Sequence, residues 1–127
     1  MSTPTDRRYS ESHEWFLQDG GTVTVGITRH AADELTDITY VEMQPSGTDI
    51  PTGGSLGEVE SVKTTADVIT FVGGTISAVN EAVANDPSLV NSDPYGEGWL
   101  VKLTVDDASS LEELMDGATY DQRHGDS

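Results

Sequence analysis

The chain has 127 residues and no cysteine, so it is long enough for one domain and lacks disulfides, cysteine metal ligands and a thiol nucleophile. Its 23 acidic and 6 basic residues give a formal net charge of −17. A surface of that sign repels nucleic acids and anionic membranes, and we expect neither as a partner.

The acidic residues are spread along the chain rather than gathered in a tail. Their mutual repulsion destabilises a compact fold in dilute buffer and is screened at high ionic strength. We therefore favour a halophilic origin, and the alternative is an acidic carrier that docks on basic enzyme surfaces. Because no apolar run is long enough to span a bilayer and residues 1–8 lack the apolar core of a signal peptide, we expect a cytoplasmic protein.

The first half of the chain consists mainly of predicted strands. Strand-forming residues alternate or cluster in five segments that are bounded by turn residues. These segments are residues 9–17, 22–27, 38–43, 57–61 and 64–72. Thr28 is positioned to cap a short helix that extends to Leu35. We expect residues 1–8 to form a flexible tail.

The predicted elements of the second half are more varied. They are a strand at 75–80, a helical turn at 81–85, a loop at 86–98, a strand at 99–105 and a helix at 109–115. Ser109 and Glu112 form a capping-box pattern at the start of that helix, and Gly117 suits the position after its end. Residues 121–127 are expected to form a second flexible tail.

Many short strands, glycine-containing turns and a few short helices predict a mainly β fold, either a sandwich or a small barrel. We expect a single domain over residues 1–127. The helices, including the one near the C-terminus, are expected to lie at its periphery.

Residues that commonly form catalytic or metal sites are too scattered here to make one. The three histidines, His13, His30 and His124, have no neighbours at zinc-ligand spacing. Ser12, His13 and Glu14 are contiguous, and successive strand residues point to opposite faces, so they form no catalytic triad. We predict a non-catalytic protein without a metal.

The two lysines, Lys63 and Lys102, occupy different settings. Lys63 lies in Glu60-Ser61-Val62-Lys63-Thr64, at the expected turn between two strands, which would hold its amine clear of the protein. An amine in that position is suited to the attachment of a prosthetic arm, although a solvated surface lysine is an equally ordinary interpretation. Biotin carriers flank such a lysine with methionines, so Val62 and Thr64 disfavour biotin.

Several segments between residues 9 and 117 resemble the glycine cleavage H-protein family. Ser12-His13-Glu14-Trp15 resembles its N-terminal signature, and Glu60-Ser61-Val62-Lys63 resembles its lipoylation sequence. The most specific segment is Asn-Ser-Asp-Pro-Tyr-Gly-Glu-Gly-Trp-Leu at 91–100. The chain departs from the family pattern at Thr64, where a small apolar residue is usual, and at Phe71, where proline is usual.

This resemblance implies a flattened barrel-sandwich of the lipoyl/biotinyl type and (R)-lipoate attached to Lys63. It implies a carrier that takes an aminomethyl group from glycine decarboxylase to an aminomethyltransferase and electrons to lipoamide dehydrogenase. The implied loaded arm folds back into a cleft, for which Ser12, Glu14, Asp67 and His30 are the candidates. Solvated surface acids are the alternative interpretation of Glu14 and Asp67.

The partners implied by the resemblance are all proteins. They are a pyridoxal-phosphate glycine dehydrogenase (decarboxylating), a tetrahydrofolate-dependent aminomethyltransferase, dihydrolipoamide dehydrogenase, and a lipoate-protein ligase or lipoyl transferase. We expect the carrier to be a monomer. Two alternative functions stay open: a lipoyl relay that supplies other 2-oxoacid dehydrogenase complexes, and an interaction module whose Lys63 is unmodified.

Overall fold

The computed structural model describes residue 4 and residues 6–124. Its strands are β1 (Arg8–Tyr9), β2 (Glu14–Asp19), β3 (Thr22–Ile27), β4 (Ile38–Met43), β5 (Asp49–Ile50), β6 (Ser55–Ser61), β7 (Thr65–Ile69), β8 (Gly74–Val79) and β9 (Val101–Thr104). Its α-helices are α1 (Arg29–Leu35), α2 (Glu81–Asn85), α3 (Ser88–Ser92) and α4 (Gly117–His124), and a 3₁₀ helix covers Ser109–Glu113. None of the helices in these residues is long and apolar enough to cross a membrane.

The strands form two antiparallel sheets that pack as an unclosed sandwich. The larger sheet has the order β1-β2-β3-β9-β8-β5, and the smaller has the order β4-β6-β7. Buried side chains from both sheets, such as Val25 and Leu103 from one and Val59 and Val68 from the other, belong to one hydrophobic core. The prediction of a mainly β fold with short antiparallel strands and short helices is confirmed.

A second, aromatic cluster lies beside the main core. Trp15, Tyr9 and Tyr120 are fully buried in it, and the rings of the two tyrosines stack with centroids 5.0 Å apart. Trp15 donates a hydrogen bond from Nε1 to the carbonyl oxygen of Pro94 at 2.9 Å. Its ring lies over Gly26, where a Cβ atom would approach to 2.5 Å, so glycine is required there for close packing.

Three local predictions from the first half are confirmed. Strand β3 and strand β4 have the predicted bounds. Helix α1 follows Thr28, whose side chain accepts a hydrogen bond from the backbone N–H of Ala31, as a capping residue does. These elements depend on local pattern and on one capping hydroxyl, and both are legible in the sequence.

The predicted strand at 9–17 is wrong, because the chain reverses direction within it. Strands β1 and β2 pair antiparallel, with Tyr9 opposite Trp15. The reversal occurs at residues 10–13, where His13 adopts the left-handed conformation (φ 71°) and donates its backbone N–H to the carbonyl of Ser10. Arg8 consequently lies in a strand rather than in the predicted tail.

The C-terminal predictions also need correction. The predicted loop at 86–98 contains α3, and the predicted α-helix at 109–115 is a shorter 3₁₀ helix without a side-chain cap. The capping box is absent because Ser109 is already inside the helix, which begins after Ala108, and its backbone N–H donates to Asp107 Oδ1. Gly117 begins α4 instead of ending a helix.

Helix α4 extends into the predicted C-terminal tail as far as residue 124. Burial of Tyr120 against Tyr9 explains why this segment is ordered in the fold. Residues 1–3, 5 and 125–127 of the two predicted tails lie outside the described residues. The single domain stays a prediction.

The outer face of the smaller sheet is strongly acidic. Glu42 lies opposite Glu58, and Glu58 lies opposite Asp67, so three exposed carboxylates form one row across β4, β6 and β7. Directly opposed like charges destabilise a sheet, and salt screens the repulsion.

We expect Glu58→Gln, which removes the central charge of this row, to raise the free energy of unfolding by roughly 0.2–1 kcal/mol at low ionic strength. The gain should shrink in concentrated salt because the repulsion is then already screened. Chemical denaturation at both ionic strengths measures it. Glu97→Gln, an equal charge change in a loop outside the sheet, is the control; an equal effect of both variants would contradict a role of the row.

Candidate functional site

Lys63 lies at the tip of the β6–β7 hairpin, which is closed by a serine side chain. The backbone N–H of Ser61 binds the carbonyl of Thr64 at 2.8 Å, and Ser61 Oγ accepts hydrogen bonds from the N–H groups of Lys63 and Thr64, both at 3.2 Å. Val62 also donates its N–H to the carbonyl of Asp37. The tip is therefore tied both to its own strands and to the segment before β4.

The side chains at this tip extend into solvent. Lys63 is exposed, and none of the ion pairs among the described residues involves it. Val62 beside it is 68% exposed. Lys102, in contrast, is half-buried in β9, with Nζ 5.0 Å from the ring centroid of Trp99. The two lysines thus differ clearly in accessibility.

A cavity of about 180 Å³ lies between α1, the turn at residues 10–13 and strand β7. Its lining combines apolar residues with three acidic ones. The lining residues are Ser12, His13, Glu14, Ile27, Ala31, Glu34, Leu35, Val59, Ala66, Asp67 and Val68. The mixture suits a ligand with an apolar chain and a cationic end.

Glu14 is the buried carboxylate of this cleft, only 2% exposed. Its Oε1 atom accepts hydrogen bonds from Ser10 Oγ and Ser12 Oγ, both at 2.5 Å, and its Oε2 atom accepts one from the backbone N–H of Ile69 at 3.2 Å. Burial raises the pKa of Glu14 above its usual value, and these donors oppose that shift. A cation in the cavity would favour the ionised form.

The predicted cleft residues are partly brought together. Ser12, Glu14 and Asp67 line one cavity, with Asp67 exposed at its edge. His30 does not line it. Instead, His30 Nε2 lies 2.7 Å from Glu34 Oε1, and its ring lies 4.5 Å from that of His13.

Sequence reasoning missed the contribution of α1 to this cleft. Ala31, Glu34 and Leu35 line it, and their spacing of three and four residues places them on one side of a helix. That spacing was a usable signal, but nothing local indicated that the side faces a cavity. Within the described residues no group of three or more histidines and acids is arranged to hold a metal ion.

Comparison with known proteins identifies the family. The model of the glycine cleavage H-protein family matches residues 7–126. The chain belongs to the glycine cleavage H-protein family. A glycine cleavage system H protein of Chlorobium phaeobacteroides is 47% identical, with 98% of this chain and 99% of the relative covered. One from Thermus thermophilus is 46% identical, with 96% and 95% covered.

A solved structure shares the fold. The crystal structure of a glycine cleavage system H protein from Mycobacterium marinum superposes with a TM-score of 0.87, at 37% identity, over 97% of this chain and 99% of that one. The comparisons support the role of a lipoyl carrier in the glycine cleavage system. They do not favour the alternatives of a lipoyl relay or an unmodified module.

The two departures from the family pattern are accommodated by the fold. Thr64 contributes backbone groups to the closed hairpin, while the residue itself is exposed. Phe71 follows β7 and packs, half-buried, against the main core. Neither residue therefore obstructs the H-protein hairpin.

We expect the stability that Glu14 contributes to increase as the pH falls. Because its pKa is raised, the folded protein binds more protons than the unfolded chain between the ordinary value of 4.5 and that raised pKa. Stability is therefore gained as the pH falls through this window and lost as it rises. The difference in free energy of unfolding between the wild type and Glu14→Gln, measured by denaturation from neutral pH downward, should grow in favour of the wild type.

Glu11→Gln is the control for this measurement, because Glu11 is an exposed acid in the same turn and binds Arg123 instead. A difference between wild type and Glu14→Gln that stays constant with pH would contradict the raised pKa of Glu14.

Proposed function

We propose that Lys63 carries (R)-lipoate in amide linkage through Nζ, and that this protein is a carrier with no catalysis of its own. The exposed amine at the tip of a serine-closed hairpin, in a chain of the glycine cleavage H-protein family, is the observation that supports this proposal most. Bound lipoate supplies a dithiolane, which can hold an aminomethyl group and carry two electrons.

The residues around the tip fit such an arm. Ser61 fixes the turn, so that the amine is presented at one place to an attaching enzyme. Asp67, in β7 at the edge of the cleft, is four residues from Lys63, and a fully extended chain of that length spans at most roughly 13 Å. An arm that folds back along β7 would thus reach the cleft, where apolar side chains exclude water from its alkyl chain.

We propose that Glu14, assisted by Ser12 and Asp67, holds the ammonium end of the aminomethyl cargo. A carboxylate beside that cation favours its charged form, and a buried carboxylate does so more strongly than a solvated one. His30 acts only indirectly in this proposal, through its pair with Glu34 on the lining side of α1.

The proposed partners are the enzymes that act on the arm. They are a pyridoxal-phosphate glycine dehydrogenase (decarboxylating), a tetrahydrofolate-dependent aminomethyltransferase, dihydrolipoamide dehydrogenase, and a lipoate-protein ligase or lipoyl transferase. A monomeric carrier in the cytoplasm that visits them in turn needs weak and rapidly reversible binding. The net charge of −17 supports electrostatic docking, which speeds association without tight binding.

Intact mass spectrometry of the protein purified from lipoate-sufficient cells tests the attachment site. We expect a shift of one lipoyl group in the wild type and none in Lys63→Arg, since a guanidinium keeps the charge but is not acylated. Lys102→Arg is the matched control and should still gain one lipoyl group. An unmodified wild type would favour the interaction module, and a shift that survives Lys63→Arg would move the site elsewhere.

A second measurement tests the role of Glu14. The lipoylated protein is loaded with the aminomethyl cargo, and its hydrolysis is followed by mass spectrometry. We expect Glu14→Gln to shorten the lifetime by about tenfold or more, because a charged hydrogen bond contributes roughly 1.5–3 kcal/mol. Glu11→Gln, in the same turn, should leave it unchanged. An unchanged lifetime in Glu14→Gln would rule out this role.

A further inference from the structure

The hydroxyl of Tyr120 joins two segments that form the cleft. It lies 2.7 Å from His13 Nδ1 and 2.8 Å from Thr28 Oγ1. Tyr120 and Thr28 are both 0% exposed, so these hydrogen bonds are shielded from water. The tyrosine belongs to α4, close to the C-terminal end of the chain, whereas both partners lie near its beginning.

His13 and Thr28, the two partners of Tyr120, belong to segments that form different walls of the cleft. His13 itself lines the cleft, and its left-handed backbone directs the turn that carries Ser12 and Glu14. Thr28 caps α1, whose lining side forms the opposite wall. The two segments also share a backbone hydrogen bond from the N–H of Thr28 to the carbonyl of His13, at 2.9 Å.

One order of donors and acceptors that satisfies this network runs from Thr28 through Tyr120 to His13. In this order Thr28 Oγ1 accepts the N–H of Ala31 at 3.2 Å and donates its own proton to the phenol oxygen. The phenol proton is then available for His13 Nδ1, which accepts it when the ring is neutral. Burial raises the pKa of Tyr120 to about 12, so the phenol keeps that proton under ordinary conditions.

We propose that Tyr120 is a positioning residue of the carrier: its hydroxyl holds the His13 turn and the start of α1 in the geometry that lets the cleft protect the cargo. The inference rests on the proposed function, because protection of an arm gives the cleft its role. Helix α4 then contributes to the geometry of the cleft through Tyr120, although it does not line the cleft.

The chain offers a matched control for this inference. Tyr9 stacks on Tyr120, is equally buried, and donates its hydroxyl to the carbonyl of Pro4 at 2.5 Å, away from the cleft. Tyr120→Phe and Tyr9→Phe each remove one buried hydroxyl and keep the stacked rings. Their effects on global stability should be similar, so a difference at the cleft reports position rather than folding.

The first test uses the unmodified protein and needs no arm. We expect Tyr120→Phe to shift the amide resonances of Glu14 and Ala31, one on each wall, and to change the tautomer signature of the His13 ring in ¹⁵N NMR. Tyr9→Phe should leave these signals in place. Identical spectra of the two variants at these sites would overturn the inference, independently of any result with the lipoylated protein.

The second test measures hydrolysis of the loaded, lipoylated protein. We expect Tyr120→Phe to shorten the cargo lifetime about two- to tenfold, as the loss of one ordinary hydrogen bond would. Tyr9→Phe should not shorten it, and Thr28→Ser, which keeps a hydroxyl, should protect better than Thr28→Val.

The outcomes of the second test separate the two proposals. Equal lifetimes in the two phenylalanine variants, with a protected wild type, would overturn the role of Tyr120 alone. A wild type that protects no better than free lipoamide would overturn cleft protection itself, and the role of Tyr120 as a residue that positions a protective cleft would fall with it.

Discussion

The buried carboxylate of Glu14 is the constraint on which the arrangement of the site depends. Ser10 and Ser12 donate to it from its own turn, while the N–H of Ile69 donates from the smaller sheet, so one ionisable side chain connects both layers of the sandwich. A buried charge without such hydrogen-bond partners lowers the free energy of unfolding by more than any single contact raises it. The sharp turn at residues 10–13 meets this requirement, because it brings the hydroxyls of Ser10 and Ser12 to the same oxygen of Glu14.

The site therefore has two parts with different requirements. The hairpin that bears Lys63 needs exposure and a fixed direction, which a short turn closed by Ser61 provides without support from the core. The cleft needs burial and accurate spacing, which only contacts between distant segments provide. Its geometry draws on β2, β7, α1 and α4, and so it is sensitive to changes far along the chain.

This division explains how much was legible in the sequence. Strands β3 and β4, the cap at Thr28 and the hairpin lysine depend on neighbouring residues, and they were predicted. The family resemblance pointed to Ser12, Glu14 and Asp67 as cleft residues. It did not point to Glu34, which lines the cleft only because of how α1 packs. The turn at His13 was missed because its left-handed backbone has no local signal, and its side-chain contact is with a tyrosine 107 residues away. Gly117 was misread because it begins α4, whose Tyr120 is buried against residues from the start of the chain.

The row of acids on the smaller sheet affects how readily copies of the protein associate through their sheet edges. Its strands β4 and β7 are sheet edges, and an open edge can pair with the edge of another molecule and begin an aggregate. Glu42 and Asp67 place a negative charge on each of those edges, while the edge strands of the larger sheet, β1 and β5, have only two residues apiece. Charged residues therefore disfavour edge pairing of the smaller sheet, and short edge strands disfavour edge pairing of the larger one. In concentrated salt the repulsion at the edges of the smaller sheet is screened, whereas the shortness of β1 and β5 continues to limit pairing at the edges of the larger sheet.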